Sequence, residues 1–339
     1  MKRVLIIAEA GVNHNGSMDN ARRLIDAAAE AGADYVKFQT FKAAKLVSKA
    51  AKQAEYQEKN IGQKTSQFEM LKKLEISEEQ HHELKEYAKG KNIKFLSTGF
   101  DEESLDFLDQ LGIDLFKVPS GEITNYPYLK HIASKKKPVI LSTGMTTLSD
   151  IENAMDVLLE NGIPREQIQI LHCNTEYPTP MNDVNLLAMN TIKAAFGVGV
   201  GYSDHTLGIE VPVAAVALGA EVIEKHFTLD KEMEGPDHKA SLDPVELKNM
   251  VSAIRNVEKA LSGTGYKQPS ESEKKNMTVA RKSIHIKDGL AKGTVITPAD
   301  LIMIRPGDGI SPFDMDKIVG RKAGSDLEAF HKLSWVDVE

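Results

Sequence analysis

Eight short apolar or β-branched runs recur along the first two-thirds of the chain, with amphipathic stretches between most of them. They are VLIIAEAG (4–11), YVKFQTF (35–41), IKFLSTGF (93–100), LFKVPSG (115–121), PVILSTG (138–144), IQILHC (168–173), GVGYSD (199–204) and EVIEKHFT (221–228). In the stretch 17–34, Ala21, Leu24, Ile25, Ala28 and Ala29 keep a helical period, Ser17 offers an N-cap and Gly32 a stop. Similar patterns cover 102–111, 125–135, 148–161, 208–219 and 243–261. Strands alternating with helices pair in parallel, and eight such units predict a closed (β/α)₈ TIM barrel. A doubly wound open sheet is the main alternative. It would gather its chemistry at one switch point, whereas here every run ends in polar residues.

Two stretches interrupt this repeat. Residues 42–92 are polar and weakly periodic, and predict an insertion with helical pieces over one barrel mouth. The segment 262–276 is rich in Gly, Ser, Pro and charge, which marks a linker. Beyond it, short alternating runs, glycine turns and a Thr297-Pro298 helix start predict a small, mostly β module. The expected organisation is a barrel over 1–262, a linker over 263–282 and a second domain over 283–339.

The chain has 339 residues and a net charge of −7, with no block of Lys and Arg, so a nucleic-acid partner is not expected. The longest apolar stretch, 211–223, is too short and too interrupted for a membrane span, and the N-terminal run is broken by Glu9. A single cysteine, Cys173, excludes an internal disulfide framework and fits a reducing cytoplasm. A cytoplasmic protein with small-molecule partners is expected.

In a barrel the C-terminal strand ends build the site. Those ends collect Glu9 and Asn13, Lys37 and Gln39, Lys117, Ser120 and Glu122, Ser142, Thr175 and Tyr177, Ser203 and His205, and Glu224 and His226. Lysines among short hydroxyl side chains are a way to hold a phosphate and a carboxylate. Two histidines on neighbouring strand ends suit a divalent metal whose other positions go to water and substrate. Each residue alone has an ordinary structural explanation. A strand-end lysine is commonly a solvated charge, Ser-Thr-Gly after a strand is turn chemistry, and His81-His82 reads as helix surface. Cys173 reads as a small apolar filler. What those explanations leave untouched is that nearly all eight ends carry such residues.

The motifs GVNHNG (11–16), VKFQT (36–40), KVPSGE (117–122), ILSTGM (140–145), HCNTEYPTP (172–180), GYSDHT (201–206), EKHFT (224–228) and GPDH (235–238) resemble the bacterial sialic acid synthases. The tail IRPGDG (304–309) resembles their C-terminal antifreeze-like (SAF, β-clip) domain. The resemblance implies a metal-dependent enzyme that condenses phosphoenolpyruvate with an open-chain N-acetylmannosamine-type sugar, cleaving a carbon–oxygen bond. The products would be phosphate and a nine-carbon 2-keto acid. N-acetylneuraminate is the first product expected; the alternative is legionaminate or pseudaminate, made from a 2,4-diacetamido-trideoxyhexose. Remoter alternatives are a metal-dependent aldolase and a non-catalytic sugar-phosphate-binding module.

Carried over by position, His205 and His226 are implied as ligands of Mn²⁺, with Mg²⁺ or Co²⁺ as alternatives. Lys37 and Lys117 would hold the carboxylate and phosphate, with Ser120, Ser142 and Ser203 on the phosphate. Gln39, Tyr177, Glu122 and Asp237 would meet the sugar. Asn13 joins the substrate-binding set. Arg305 would reach the partner's barrel in a homodimer with exchanged C-terminal domains. Two positions depart from the family pattern. Asn15 stands where some members carry a glutamate, which leaves the general base to Glu122 or Asp237. Asn174-Thr175 reverses a Thr-Asn order, which affects the phosphate contact of Thr175. Asn60 is the candidate for a loop asparagine that contacts sugar.

Overall fold

The structure is a computed structural model that describes residues 3–48 and 66–339; Asn60 therefore lies outside the described residues. The chain divides into two compact units, Met1–Ser262 and Gly263–Glu339.

The first unit is an eight-stranded parallel barrel. Its strands are β1 (Leu5–Gly11), β2 (Tyr35–Thr40), β3 (Lys94–Gly99), β4 (Phe116–Val118), β5 (Val139–Ser142), β6 (Ile168–Cys173), β7 (Gly199–Asp204) and β8 (Val222–His226). Hydrogen-bonded neighbours run in the order β3-β2-β1-β8-β7-β6-β5-β4, so β1 and β8 join the two ends of the chain order. β3 and β4 lie side by side at the seam without a ladder. The open-sheet alternative is thereby excluded: β8 pairs with β1, Glu9 standing opposite His226.

Local chemistry sets the helices as the sequence predicts. Ser17 caps helix Met18–Ala31 by accepting from Asn20 N, and Gly32 ends it at φ 81°, a left-handed conformation that costs glycine little. Asp243 closes a capping box with Glu246 on helix Pro244–Ala260, which starts on a proline. The apolar faces of these helices, with the strand residues, form one continuous core from Val4 to Ile254. Gly201 on β7 shows how tightly it is packed: a Cβ there would sit 2.2 Å from the Val222 carbonyl oxygen.

The described residues of the insertion include the helices Ala43–Leu46, Gln67–Leu74 and Glu78–Gly90. His81 on the last of these is fully buried rather than at the surface, and corrects that expectation. Its ring meets Phe95 and Phe107 edge-on and its Nε2 lies 2.7 Å from Thr40 Oγ1, so the helix turns this face inward.

The second unit has an antiparallel pair, β9 (Ser283–Ile286) and β10 (Leu301–Ile304), extended by isolated bridges such as His285 to Lys332. It closes its own small core around Ile284, Ile286, Ile296, Ile318 and Leu333. Residues 263–282 are not structureless: Ser270 caps a helix over Glu271–Ala280. Among the described residues, no helix is long and apolar enough to cross a membrane.

Candidate active site

Alternation along each barrel strand sends every second side chain inward, and the C-terminal ends converge on a cavity of about 260 Å³. It gathers Lys37, Gln39, Lys117, Ser120, Ser142, Thr175, Tyr177, Ser203, His205, His226 and Asp237 of the expected residues.

Two lysines and two carboxylates make the floor. Lys37 Nζ sits 2.8 Å from Glu9 Oε2 and donates to Thr98 Oγ1 at 3.1 Å. Lys117 Nζ lies 3.2 Å from Glu224 Oε1, which also accepts from Ser203 Oγ at 3.0 Å. All four charged side chains are at most 5% exposed. Burial raises the Glu224 carboxyl, but Lys117 and Lys37 outweigh it and bring it down to about 2. Burial pushes Glu9 up to about 7 against the pull of Lys37. Lys117 is lowered, chiefly by burial. Across this coupled pair, burial favours a proton on Glu9, while the two lysines favour the Glu224 carboxylate.

Beside the floor, β5 supplies Ser142, whose Oγ is buried without a hydrogen-bond partner among the described residues. Ser120 Oγ accepts from Gly144 N at 2.9 Å. Gly144 has to be glycine here: a Cβ would come within 2.5 Å of Thr175 and 2.8 Å of Ser120 Oγ. Cys173 is buried, yet it is more than filler, because its sulfur lines the cavity 3.3 Å from Ser120 Oγ.

The imidazoles form one side. His205 Nδ1 donates to the Asn174 carbonyl, which leaves Nε2 unprotonated to accept from the Tyr177 hydroxyl at 2.9 Å. Tyr177 stacks on His205 with ring centroids 4.0 Å apart, and the His205 and His226 centroids are 5.3 Å apart. Burial holds His205 down to about 4 and His226 well below its ordinary value, so both rings keep a lone pair at neutral pH. His226 Nδ1 is buried with no hydrogen-bond partner among the described residues. Two neutral rings, one orientated by a backbone carbonyl and one with an orphaned nitrogen, fit a divalent metal. Among the described residues, no group of three or more His, Cys, Asp or Glu gathers around a single point, so such an ion would complete its shell with water and substrate.

Two expected residues of the barrel, Asn13 and Glu122, do not line the cavity. Asn13 is fully buried and spends its amide on the Phe227 carbonyl at 2.8 Å and Ser241 Oγ at 2.9 Å, tying β1 to the end of β8. Glu122 lies on the turn after β4 and accepts from Asn125 at 2.6 Å. Arg305 belongs to the second unit, where its Nε donates to the Ala280 carbonyl at 3.1 Å. Asn15 serves the fold, for its Nδ2 donates to the Glu234 carbonyl at 2.8 Å and its Oδ1 lies 3.1 Å from His238 Nε2. It thereby anchors the loop carrying Asp237, whose carboxyl burial raises to about 6. A carboxylate is not missing from the first strand, since Glu9 supplies one from within β1.

The NeuB family model matches residues 24–267, and the SAF domain model matches residues 281–339. The chain is 54% identical to the N,N'-diacetyllegionaminic acid synthase of Campylobacter jejuni, over 95% of this chain and 96% of that one. It is 51% identical to the N,N'-diacetyllegionaminic acid synthase of Legionella pneumophila, over 98% and 94%. A crystal structure of N-acetylneuraminic acid (sialic acid) synthetase from Leptospira borgpetersenii in complex with citrate superposes with a TM-score of 0.71, at 36% identity, over 81% of this chain and 90% of that one. The chain belongs to the NeuB family and carries a C-terminal SAF domain.

Proposed function

We propose that this nonulosonic acid synthase condenses phosphoenolpyruvate with an open-chain 2,4-diacetamido-trideoxyhexose, releasing phosphate and N,N'-diacetyllegionaminate. Of the acceptors weighed from sequence, this one is favoured by the two legionaminic acid synthases at 54% and 51% identity. The observation that carries the reaction class is a single cavity joining the Lys37–Lys117 floor and its hydroxyls to two neutral imidazoles.

Lys37 and Lys117 attract the carboxylate and phosphate of the enol ester, while Ser120 and Ser142 add neutral hydrogen bonds around the phosphate oxygens. His205 and His226 would hold a divalent cation, Mn²⁺ by preference. When bound, it supplies Lewis-acid polarisation of the acceptor aldehyde. Carbon 3 of phosphoenolpyruvate then forms a bond to the aldehyde carbon, and the aldehyde oxygen takes a proton to become a hydroxyl. Water adds at carbon 2 and gives up its proton. The resulting tetrahedral carbon expels phosphate by carbon–oxygen cleavage, and its hydroxyl passes the remaining proton to the leaving phosphate as the ketone forms.

Glu9 is placed to carry these protons. It faces the cavity beside Lys37, where burial favours its protonated form and the lysine its carboxylate. Glu122, offered for this role from sequence, is off the cavity; Asp237 is on it and positions the sugar, with Gln39 and Tyr177.

For the second unit, we infer a homodimer in which Arg305 donates to the acetamido carbonyl of a sugar in the partner's barrel. Its support is the IRPGDG motif and the SAF domain match. Phosphoenolpyruvate is a cytoplasmic metabolite, and the protein is placed there. Acceptor profiling tests the reading. Purified protein with Mn²⁺ and phosphoenolpyruvate should release phosphate one-for-one with a keto acid when given the diacetamido sugar. Pyruvate without a condensed product would contradict it.

A further inference from the structure

The cavity has a third side that the reaction does not use. Helix Gln67–Leu74 presents Met70, Leu71 and Leu74 to it, and Val12 and Phe100 continue the apolar surface. The three helix residues are at most 9% exposed and pack in one cluster with Val12, Phe41 and Ala43. This wall is pinned in place. Gly16, at φ 74°, lies so near the helix that a Cβ would fall 2.7 Å from the Lys73 carbonyl oxygen. At its other end, Glu75 Oε1 accepts from Ala43 N at 2.7 Å.

Neither phosphate, carboxylate nor sugar hydroxyls gain from such a surface, because a polar group turned against it loses its water without a new partner. Methyl groups gain. Phosphoenolpyruvate has none, and N-acetylmannosamine has only its acetamido methyl. A 2,4-diacetamido-2,4,6-trideoxyhexose has three: two acetamido methyls and carbon 6. We propose that Met70, Leu71 and Leu74 determine acceptor specificity by receiving the deoxy, acetamido-bearing end of the sugar. This rests on the synthase reading above and adds to it the residues that select among acceptors.

The experiment compares kcat/KM for 2,4-diacetamido-2,4,6-trideoxymannose and N-acetylmannosamine, using full-length protein with Mn²⁺ and saturating phosphoenolpyruvate. Wild type should favour the trideoxy sugar by at least about tenfold, the scale of one buried methyl group. Leu71→Asn keeps the side-chain shape but makes it polar, and should cut that ratio by at least about tenfold. Leu71→Met should keep the ratio. Met70→Gln gives a second polar variant should Leu71→Asn fail to fold, and a smaller ratio is expected there too. An unchanged ratio in the folded polar variant, with both acceptors falling together or neither falling, overturns the assignment. So does a wild type that prefers N-acetylmannosamine, although synthesis itself then stands. Absence of keto acid from both sugars overturns the synthase reading, and the wall's role with it.

Discussion

Asp204 and Lys225 form an ion pair in which both side chains are fully buried, between strand ends whose next residues are His205 and His226. They stand opposite each other in the β7–β8 register. Asp204 is further held by Thr206 N at 3.0 Å and Thr206 Oγ1 at 3.1 Å, and Lys225 also donates to the Thr206 carbonyl. Charges at these two strand tips thus answer to structure, while the adjoining imidazoles face the cavity.

Removing one partner leaves the other charge buried and uncompensated. Asp204→Asn and Lys225→Met should each lower unfolding free energy by about 3–5 kcal/mol, read from urea midpoints at constant slope. The double variant Asp204→Leu/Lys225→Met should recover much of that loss. Single variants within about 1 kcal/mol of wild type would mean the pair contributes nothing by its charge.

Asp237 sets a pH dependence. Burial raises its folded value from 3.8 to about 6, so between those values the folded state holds a proton that the unfolded chain releases. Stability from this group is therefore greatest at low pH, falls as pH rises through the window, and stays at its minimum above about 6. Asp237→Asn should be more stable than wild type at pH 7.5 by about 1–3 kcal/mol in metal-free protein. The advantage should shrink toward pH 5. A difference that is flat with pH would show that the carboxyl titrates normally.

Chelation should abolish synthesis, and added Mn²⁺ should restore it. His205→Ala or His226→Ala should reduce turnover by at least about a hundredfold, the scale of losing one electrostatic stabiliser of the transition state. Direct titration of Mn²⁺ by electron paramagnetic resonance should show weakened binding in both variants. Full activity in excess chelator after exhaustive dialysis would remove the metal from the account.

How far the site can be read from sequence follows from where its residues lie. Lys37, Lys117, His205 and His226 are legible because a barrel repeats one rule eight times, with strand ends facing one mouth. Direction within a strand end is harder to read. Asn13 and Glu9 stand four residues apart at the end of the same run, yet the first ties strands together and the second reaches the cavity. Only barrel register and the bulge between Glu9 and Gly11 separate them. The apolar wall at Met70, Leu71 and Leu74 lies in a stretch whose weak periodicity hides a short helix. His81 is hidden likewise, because its burial depends on Phe95 and Phe107 from other elements.

Arg305 offers a test of assembly. Arg305→Ala and Lys117→Ala should each be nearly inactive alone. Refolded together in equal amounts, half the dimers are mixed and each carries one complete site, so activity should return to about a quarter of wild type. A mixture as inactive as its parents, with subunit exchange demonstrated, would confine Arg305 to its own chain or to no role.

Carbon–oxygen cleavage of phosphoenolpyruvate in the Lys37–Lys117 cavity can be read from one isotope measurement. Phosphoenolpyruvate labelled with ¹⁸O at the bridging oxygen is turned over with the diacetamido sugar, and both products are examined by mass spectrometry. The label should appear in inorganic phosphate, with an unlabelled ketone oxygen drawn from water. Retention of the label in the keto acid would mean phosphorus–oxygen cleavage and would contradict the mechanism.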